Sequence, residues 1–388
     1  MRITNNRLPI FFIATSLFWF ALYAYVPFFA PYAEEMYAEP WLIGLMIGAY
    51  GFVQMVIRFP LGIISDRLRK RKIFIMAGLA FAAVSGLVVF AFPSPMMILA
   101  ARSFAGVAAS SWVVFTVLGA AYNKPGDTVR TIGMLNAYNS LGRVAALLLG
   151  GLVAQLLGFS YAFLLAGVAG LIGLVLSAGI VEKRPEAKQP PKISELLSVA
   201  KNRQLLCASL LAILSQYISF STTFGFVPLV ATRLGATNFM LGMLGVAATL
   251  PGIIIAPMAG RLLKKFGISK VLVGGFLLTA LACAVMPLSQ AMWQLFIVQI
   301  ANNIGLIVVF TSLMGLCIQD IEAERRATAM GFFQAVYGLG MFLGPFVMGW
   351  LTQGLGLEAA FVFTGGIAVL GAVVAVVFVR KGFLVHKQ

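Results

Sequence analysis

Residues 41–64 read WLIGLMIGAYGFVQMVIRFPLGII, and residues 73–92 read IFIMAGLAFAAVSGLVVFAF. Each run is long enough for a helix to cross the hydrocarbon core of a bilayer, which takes roughly 20 apolar residues. Between them stands SDRLRKRK at residues 65–72, which carries five basic side chains. Two apolar runs joined by a short basic loop predict a pair of membrane-spanning helices, and the same pattern recurs along the chain.

The composition of the 388 residues agrees with this interpretation. Hydrophobic residues make up 61% and charged residues 10%, and the mean hydropathy is +0.98, whereas about a quarter of the residues in a soluble domain are charged. Continuous apolar runs predict helices rather than the alternating strands of a barrel. The fold class is therefore an all-α membrane protein with twelve transmembrane helices. The spans are 8–30, 41–64, 73–92, 96–120, 130–156, 160–181, 204–230, 239–262, 270–288, 292–317, 327–352 and 357–379.

The basic residues are distributed unevenly between alternate loops. With the N-terminus in the cytoplasm, the cytoplasmic segments carry 24 of the 28 Lys and Arg residues, and the outside loops carry only Arg233. Cytoplasmic loops hold an excess of Lys and Arg, so we expect a multi-pass protein of the cytoplasmic membrane with both termini inside. The net charge of +16 is then a topology signal, and nucleic acid is excluded as a partner.

The sequence offers no chemistry for catalysis or for a metal. The cysteines, Cys207, Cys283 and Cys317, lie in apolar runs without CxxC spacing, and the one histidine is His386 in the C-terminal tail. These residues form no pattern typical of a zinc site or of a disulfide framework. No buried nucleophile or pair of carboxylates is present for an enzyme. We expect no catalytic residues, no metal and no cofactor.

The chain matches itself at an offset of 198 residues. This symmetry predicts two six-helix halves, residues 1–181 and 204–388, joined by a cytoplasmic linker at 182–203. Repeats of six spans are typical of secondary transporters that work by alternating access. We expect a monomer whose partners are membrane lipid and a small-molecule substrate. The matching pairs are Gly44 and Gly242, Gly62 and Gly260, Gly133 and Gly331, Gly142 and Gly340, Gly151 and Gly349, Gly158 and Gly356, and Phe163 and Phe361.

Three stretches resemble motifs of the major facilitator superfamily, and the resemblance covers essentially the whole chain. Residues 62–71, GIISDRLRKR, are similar to the loop motif G-x-x-x-D-R-x-G-R-R, with Arg69 in place of the second glycine, and residues 260–267, GRLLKKFG, hold a partial copy. Residues 102–106, RSFAG, resemble the R-x-x-x-G motif of span 4. Span 5 reads GRVAALLLGG and lacks the Gly-Pro pair of the antiporter motif, which stands instead in span 11 at residues 344–345.

The resemblance implies two six-helix bundles and the function of a drug or metabolite exporter coupled to protons. It also implies that Arg102 takes part in proton coupling and that spans 1, 4, 7 and 10 line the cavity. We interpret Asp66, together with Gly62 and Arg67, as a conformational latch, because a carboxylate can accept backbone N–H groups at a helix N-terminus. The carboxylates available for coupling are Glu34, Glu35 and Asp66, since no Asp or Glu lies in the interior of a span.

Arg102 and Arg143 are the main candidates for substrate binding or gating, because a guanidinium in the hydrocarbon region is costly unless it faces water or a partner. Each either hydrogen bonds to carbonyls and water or meets a negatively charged substrate. The second alternative favours an organic anion, a zwitterion or an amphiphile as the substrate. Polar side chains that share helix faces complete the candidate site: Asn136 and Asn139 in span 5, Gln216, Ser219 and Thr223 in span 7, Gln299, Asn302 and Asn303 in span 10, and Gln334 and Tyr337 in span 11.

Other interpretations stay open at this point. Import or exchange of organic anions is an alternative to proton-coupled export, because no titratable carboxylate lies in a span interior. A sensor that keeps the fold without transporting is a further alternative. The aromatic residues Trp19, Tyr23, Tyr25 and Trp112 fit either cavity walls or interfacial belts.

Overall fold

The computed structural model describes residues 8–68, 70–122, 128–182, 201–322 and 325–385. Within these residues the regular structure is helical throughout, and twelve helical segments are long and apolar enough to cross a membrane. The predicted fold class and number of spans are confirmed. Residues 183–200 of the linker, and His386, lie outside the described residues.

The helices of the described residues are numbered in chain order. They are α1 Leu8–Tyr23, α2 Val26–Glu35, α3 Pro40–Leu68, α4 Arg71–Ala91, α5 Pro95–Ser110, α6 Trp112–Ala121, α7 Thr128–Leu157, α8 Phe159–Ser177, α9 Arg203–Ser221, α10 Val227–Arg233, α11 Asn238–Ile255, α12 Ala259–Phe266, α13 Ile268–Val285, α14 Met292–Gln319, α15 Arg326–Leu355 and α16 Leu357–Arg380. A π turn covers Thr222–Phe226, and 3₁₀ turns cover Ala256–Met258 and Met286–Leu288.

Some spans that the sequence predicts as continuous helices are broken. Span 1 consists of α1 and α2, and span 7 passes from α9 through the π turn into α10. Pro27 and Pro228 stand in the first turns of α2 and α10. A proline has no N–H and its ring clashes with the carbonyl four residues earlier, so it can kink or interrupt a helix. The first span of each predicted half is therefore interrupted within its length.

The described residues divide into two compact units. The first takes those within Met1–Met36, Val56–Pro190 and Thr237–Met243, and the second takes those within Tyr37–Met55, Pro191–Ala236 and Leu244–Gln388. The first part of α3 thus packs with the second unit, and the first residues of α11 pack with the first. The division at residues 182–203 stays a prediction.

Glycines make the same helix contact in each unit. In the first unit, Gly142 of α7 lies so close to the carbonyl of Ser16 in α1 that a side chain would collide with it. In the second unit, Gly340 of α15 lies in the same way against the carbonyl of Ile213 in α9. Small residues allow this close approach of helices in lipid. Since Gly142 and Gly340 correspond at the offset of 198, the sequence repeat is also a repeat of packing.

A second glycine contact explains why α3 and α11 each join the other unit. Within the second unit, Gly44 of α3 lies against the backbone of Pro345 in α15. Within the first, Gly242 of α11 lies against the carbonyl of Leu147 in α7. At the offset of 198, Gly44 corresponds to Gly242 and Leu147 corresponds to Pro345. The chain therefore uses one type of contact twice.

Candidate functional site

Arg143 of α7 directs its guanidinium at the break in the first span. Its Cζ lies 4.3 Å from the ring centroid of Tyr23, the last residue of α1. A cation over an aromatic ring gains about 0.5–2 kcal/mol, less than the several kcal/mol that desolvation of an ion costs. Among the described residues, the buried Nε of Arg143 has no hydrogen-bond partner and the side chain forms no ion pair. Arg143 therefore has an unused donor for an anion.

Asn139 lies one turn before Arg143 on the same face of α7. It is half-buried, and its Oδ1 is buried without a hydrogen-bond partner in the part of the chain that the structure describes. Asn136 lies a further turn back and is exposed. The predicted polar stripe on span 5 is thus present, and the Arg143–Asn139 pair offers a charged donor beside a neutral acceptor.

The Tyr23 ring under this arginine belongs to a series of aromatic contacts. Trp19 of α1 packs against Tyr23 with their centroids 5.8 Å apart, and its ring meets Trp112 of α6 edge to face at 5.1 Å. Trp19 is buried, and its Nε1 has no hydrogen-bond partner within the described residues. An indole N–H normally finds a partner when buried. Trp19 is therefore a buried ring of the first unit, and the half-buried Trp112 packs on it.

Arg102 of α5 is the second cation of this unit. It is 3% exposed, and its Cζ lies 5.0 Å from the ring centroid of Phe29 in α2. Both predicted arginines are thus placed over aromatic rings, a partner that the sequence analysis did not consider. The rings come from α1 and α2, on either side of the break in span 1.

A cluster of amides and hydroxyls joins the π turn to α14 in the second unit. The Asn302 Nδ2 donates to Thr222 Oγ1 over 3.2 Å, and the Asn303 Nδ2 donates to Thr223 Oγ1 over 3.2 Å. The same Asn303 nitrogen donates to the Gln299 carbonyl over 2.9 Å. The structure therefore brings together four residues of the predicted site, and it adds Thr222, which sequence reasoning missed.

Two acceptors of this amide cluster are left over. The Gln299 Oε1 and the Asn302 Oδ1 are buried and have no hydrogen-bond partner among the described residues. Their residues are 1% and 0% exposed. A buried oxygen without a donor costs about 1–3 kcal/mol. The cluster is therefore suited to a hydrogen-bond donor, in contrast to the cationic cluster of the first unit.

The remaining predicted side chains lie on α9 and α15. Gln216 and Ser219 of α9 and Gln334 of α15 are half-buried. Tyr337 packs edge to face on Phe310 and Phe333, with centroid distances of 5.3 and 5.4 Å. Its ring is part of an aromatic contact between α14 and α15.

A carboxylate that was not among the predicted latch residues lies at the start of α4. Gly62 and Arg67 lie on α3, where Arg67 is exposed, and the side chain of Asp66 lies outside the described residues. The Glu182 carboxylate accepts the backbone N–H of Arg71, the first residue of α4. A negative charge at a helix N-terminus is favourable. The only sequence signal for this contact is the position of Glu182 directly after an apolar span. The sequence analysis assigned Glu182 to the linker.

Tyr122 is held beside the same carboxylate. Its hydroxyl donates to the carbonyl of Val181 over 2.6 Å. Burial, and secondarily the charge of Glu182, raise the pKa of Tyr122 above its ordinary range. The end of span 6 is therefore tied to α4 and to the end of span 4 by polar contacts.

The carboxylates at the end of span 1 are open to their surroundings. Glu34 and Glu35 are the last two residues of α2, and both are exposed. Neither side chain forms an ion pair or a hydrogen bond with another described residue. Their positions suit an accessible proton acceptor at the membrane surface.

Known proteins resemble the chain over nearly its whole length. The sequence matches the profile of the Major Facilitator Superfamily over residues 11–230 and 209–383. It is 24% identical over 368 residues to the MFS-type transporter MJ1560 of Methanocaldococcus jannaschii, covering 92% of this chain and 93% of that protein. It is 25% identical over 371 residues to the MFS-type transporter SLC18B1 of Mus musculus, covering 87% and 78%. The fold matches a bacterial homolog of the human lysosomal transporter Spinster, in an inward-facing and occupied conformation, with a TM-score of 0.82, 13% identity and 98% coverage of both chains.

Proposed function

We propose, since the chain belongs to the Major Facilitator Superfamily, that it is a secondary transporter which moves a small organic solute across the cytoplasmic membrane by alternating access. The family consists of transporters and not of enzymes, and the twelve apolar helices make the chain a multi-pass integral membrane protein. The substrate class is an organic anion, a zwitterion or an amphiphile. The proposed direction is export coupled to protons, with both termini in the cytoplasm.

The observation that carries this substrate class is the position of Arg143 over Tyr23 at the break in span 1. This guanidinium has an unused donor and packs on a ring, and its own span contains no carboxylate. It is therefore suited to binding a carboxylate or phosphate group of the substrate. In lipid, irregular backbone is tolerated where it is buried in protein or lines a water-filled cavity. A polar solute that entered such a cavity would meet Arg143 and Asn139 together.

The amide cluster supplies a complementary requirement. Gln299 and Asn302 present acceptors that lack donors, so a substrate with hydroxyl, amide or ammonium groups would satisfy them. A purely apolar compound would leave these oxygens unsatisfied, at about 1–3 kcal/mol each. We therefore favour a solute that carries both a negative group and hydrogen-bond donors.

The remaining elements of the proposal rest on the sequence and the family. The two halves would be residues 1–181 and 204–388, working as a monomer. Asp66, with Gly62 and Arg67, would act as the latch between conformational states. Arg102, Glu34, Glu35 and Asp66 are the candidates for proton coupling.

Import or exchange of organic anions is the second candidate function. It is favoured by one observation: no Asp or Glu lies in the interior of a span, where a coupling carboxylate would exchange its proton. Exchange of one anion for another needs no protein carboxylate. Protons carried by the substrate itself would also suffice for coupling.

Two measurements test the proposal. A thermal-shift screen of the purified protein with anionic, neutral and cationic compounds should find stabilisation among anions that carry donor groups. Proteoliposomes loaded with such a compound should then release it faster under an imposed pH gradient. In this gradient the external medium is acidic, and the lumen takes the place of the cytoplasm. Release driven only by an anion on the opposite side would favour exchange. If no compound moves across the bilayer at all, the transporter assignment for this chain fails.

A further inference from the structure

A groove lies on the surface of the second unit between α12, α13 and α14. Its volume is about 280 Å³. Its walls are mainly apolar, and a lysine stands at one end. The residues that define it are Leu262 and Phe266 of α12, Lys270 and Gly274 of α13, and Ile304 and Val308 of α14.

The groove exists because side chains are missing from α13. Gly274 lies one turn after Lys270, and a Cβ built on it would meet no atom within 4 Å. Gly275 and Gly305 let α13 and α14 pack closely at the floor of the groove. A Cβ added to Gly275 would lie only 3.0 Å from the Gly305 carbonyl oxygen. From Lys270 to Leu278 the groove follows α13 for about 12 Å at 1.5 Å per residue. This is a narrow apolar channel suited to an extended hydrocarbon chain.

The end of the groove is strongly basic. Lys270 lines the groove, and the Nζ of Lys265 lies 5.2 Å from the ring centroid of Phe266 in its wall. Arg261 and Lys264 belong to the same short helix α12, and all four basic residues are exposed. None of the three lysines forms an ion pair with a residue that the structure describes, and the sequences of α12, α13 and α14 contain no Asp or Glu. The groove thus combines an apolar channel within a membrane span with exposed lysines, which form no ion pair among the described residues, at the start of that span.

We propose that this groove binds an anionic phospholipid. One acyl chain lies along Gly274 between α13 and α14, and the headgroup phosphate lies at Lys270. Charge complementarity selects the lipid, because a zwitterionic headgroup would bring its own cation to the same group of lysines. This inference is independent of the transported solute, since none of the residues that line the groove belongs to the candidate substrate site.

The test is lipid retention by the purified protein, measured by native mass spectrometry. The two probes are phosphatidylglycerol and phosphatidylcholine with identical acyl chains, titrated into the detergent-solubilised full-length chain. We expect phosphatidylglycerol to bind more tightly. Lys270→Ala should weaken its binding about fivefold, because a basic residue near an anionic lipid surface contributes about 1 kcal/mol. Binding of phosphatidylcholine should stay unchanged in this variant.

Matched variants separate the groove from general effects. Gly274→Leu should fill the channel and reduce phosphatidylglycerol retention at least fivefold. Gly366→Leu is its control, because Gly366 is an exposed glycine of α16 with no atom near its Cβ. Lys381→Ala controls for loss of one exposed charge. Equal binding of the two lipids, or equal losses in each variant and its control, would overturn the proposal.

Discussion

Replacement of Arg143 by alanine tests the proposed anion site most directly. The variant loses the contact at 4.3 Å with the Tyr23 ring, worth about 0.5–2 kcal/mol, but it also removes a cation that is costly to desolvate. We therefore expect the thermal stability to change little. A substrate carboxylate would lose a charge-assisted hydrogen bond of about 1.5–3 kcal/mol, so its affinity should fall roughly 10- to 150-fold.

The assay is substrate-induced thermal stabilisation, followed by initial transport rates in proteoliposomes. Arg143→Lys should keep part of the affinity, because it retains the charge and loses the planar donor geometry. Arg233→Ala is the control, since Arg233 is exposed and lies 3.7 Å from Glu358 in a solvent-accessible pair of small energetic value. A neutral analogue should bind equally to wild type and Arg143→Ala. Unchanged affinity of Arg143→Ala for every anionic ligand would refute the reasoning.

Three further outcomes follow from the packing and hydrogen bonds. Thr222→Val should destabilise the protein by about 1–3 kcal/mol, because the Asn302 amide loses its acceptor. Thr249→Val is the control in thermal unfolding. It should differ little from wild type, because the Thr249 hydroxyl donates only to a carbonyl of its own helix. Gly142→Ala should lower the free energy of unfolding by about 1–3 kcal/mol, because the new methyl group forces α7 away from Ser16. Gly133→Ala on the same helix is the control, since its methyl group would meet no atom. Equal melting temperatures of the two variants would contradict this prediction. Below pH 10, Tyr122→Phe should lower the melting temperature, because it removes the hydrogen bond to the Val181 carbonyl. The pKa of Tyr122 is raised in the folded protein, so above about pH 10 this tyrosine ionises only in the unfolded chain. That ionisation lowers the stability of the wild type, and the difference between the two proteins should therefore shrink above about pH 10.

The fold could be predicted because the membrane imposes a local rule. A run of about 20 apolar residues is enough to specify a span, and the uneven distribution of Lys and Arg specifies an expected orientation. The breaks were missed for the same reason. Pro27 and Pro228 stand inside apolar stretches, and their effect on the helix comes from a missing N–H, which hydropathy does not measure.

The candidate site could be predicted only in part. Spacings of three and four residues identified Asn139 with Arg143, and Gln299 with Asn302 and Asn303, because these pairs share a helix face. Thr222 was missed because it is adjacent to Thr223, and adjacent residues of a regular helix point about 100° apart. Both threonines bond to α14 from the π turn. The rings over the arginines were also missed, since no local pattern links Tyr23 to a residue 120 positions away.

The breaks support the location of the site by an argument that starts from the backbone. Within lipid, each unsatisfied backbone group costs several kcal/mol, so irregular turns persist only where protein or water satisfies them. The break in span 1 lies beside Arg143, and the π turn of span 7 bonds to Asn302 and Asn303. π turns occur frequently at functional sites, and transporters commonly build substrate sites from interrupted helices. In the first span of each half, an irregular backbone thus coincides with contacts to predicted site residues: Arg143 in one unit, and Asn302 and Asn303 in the other.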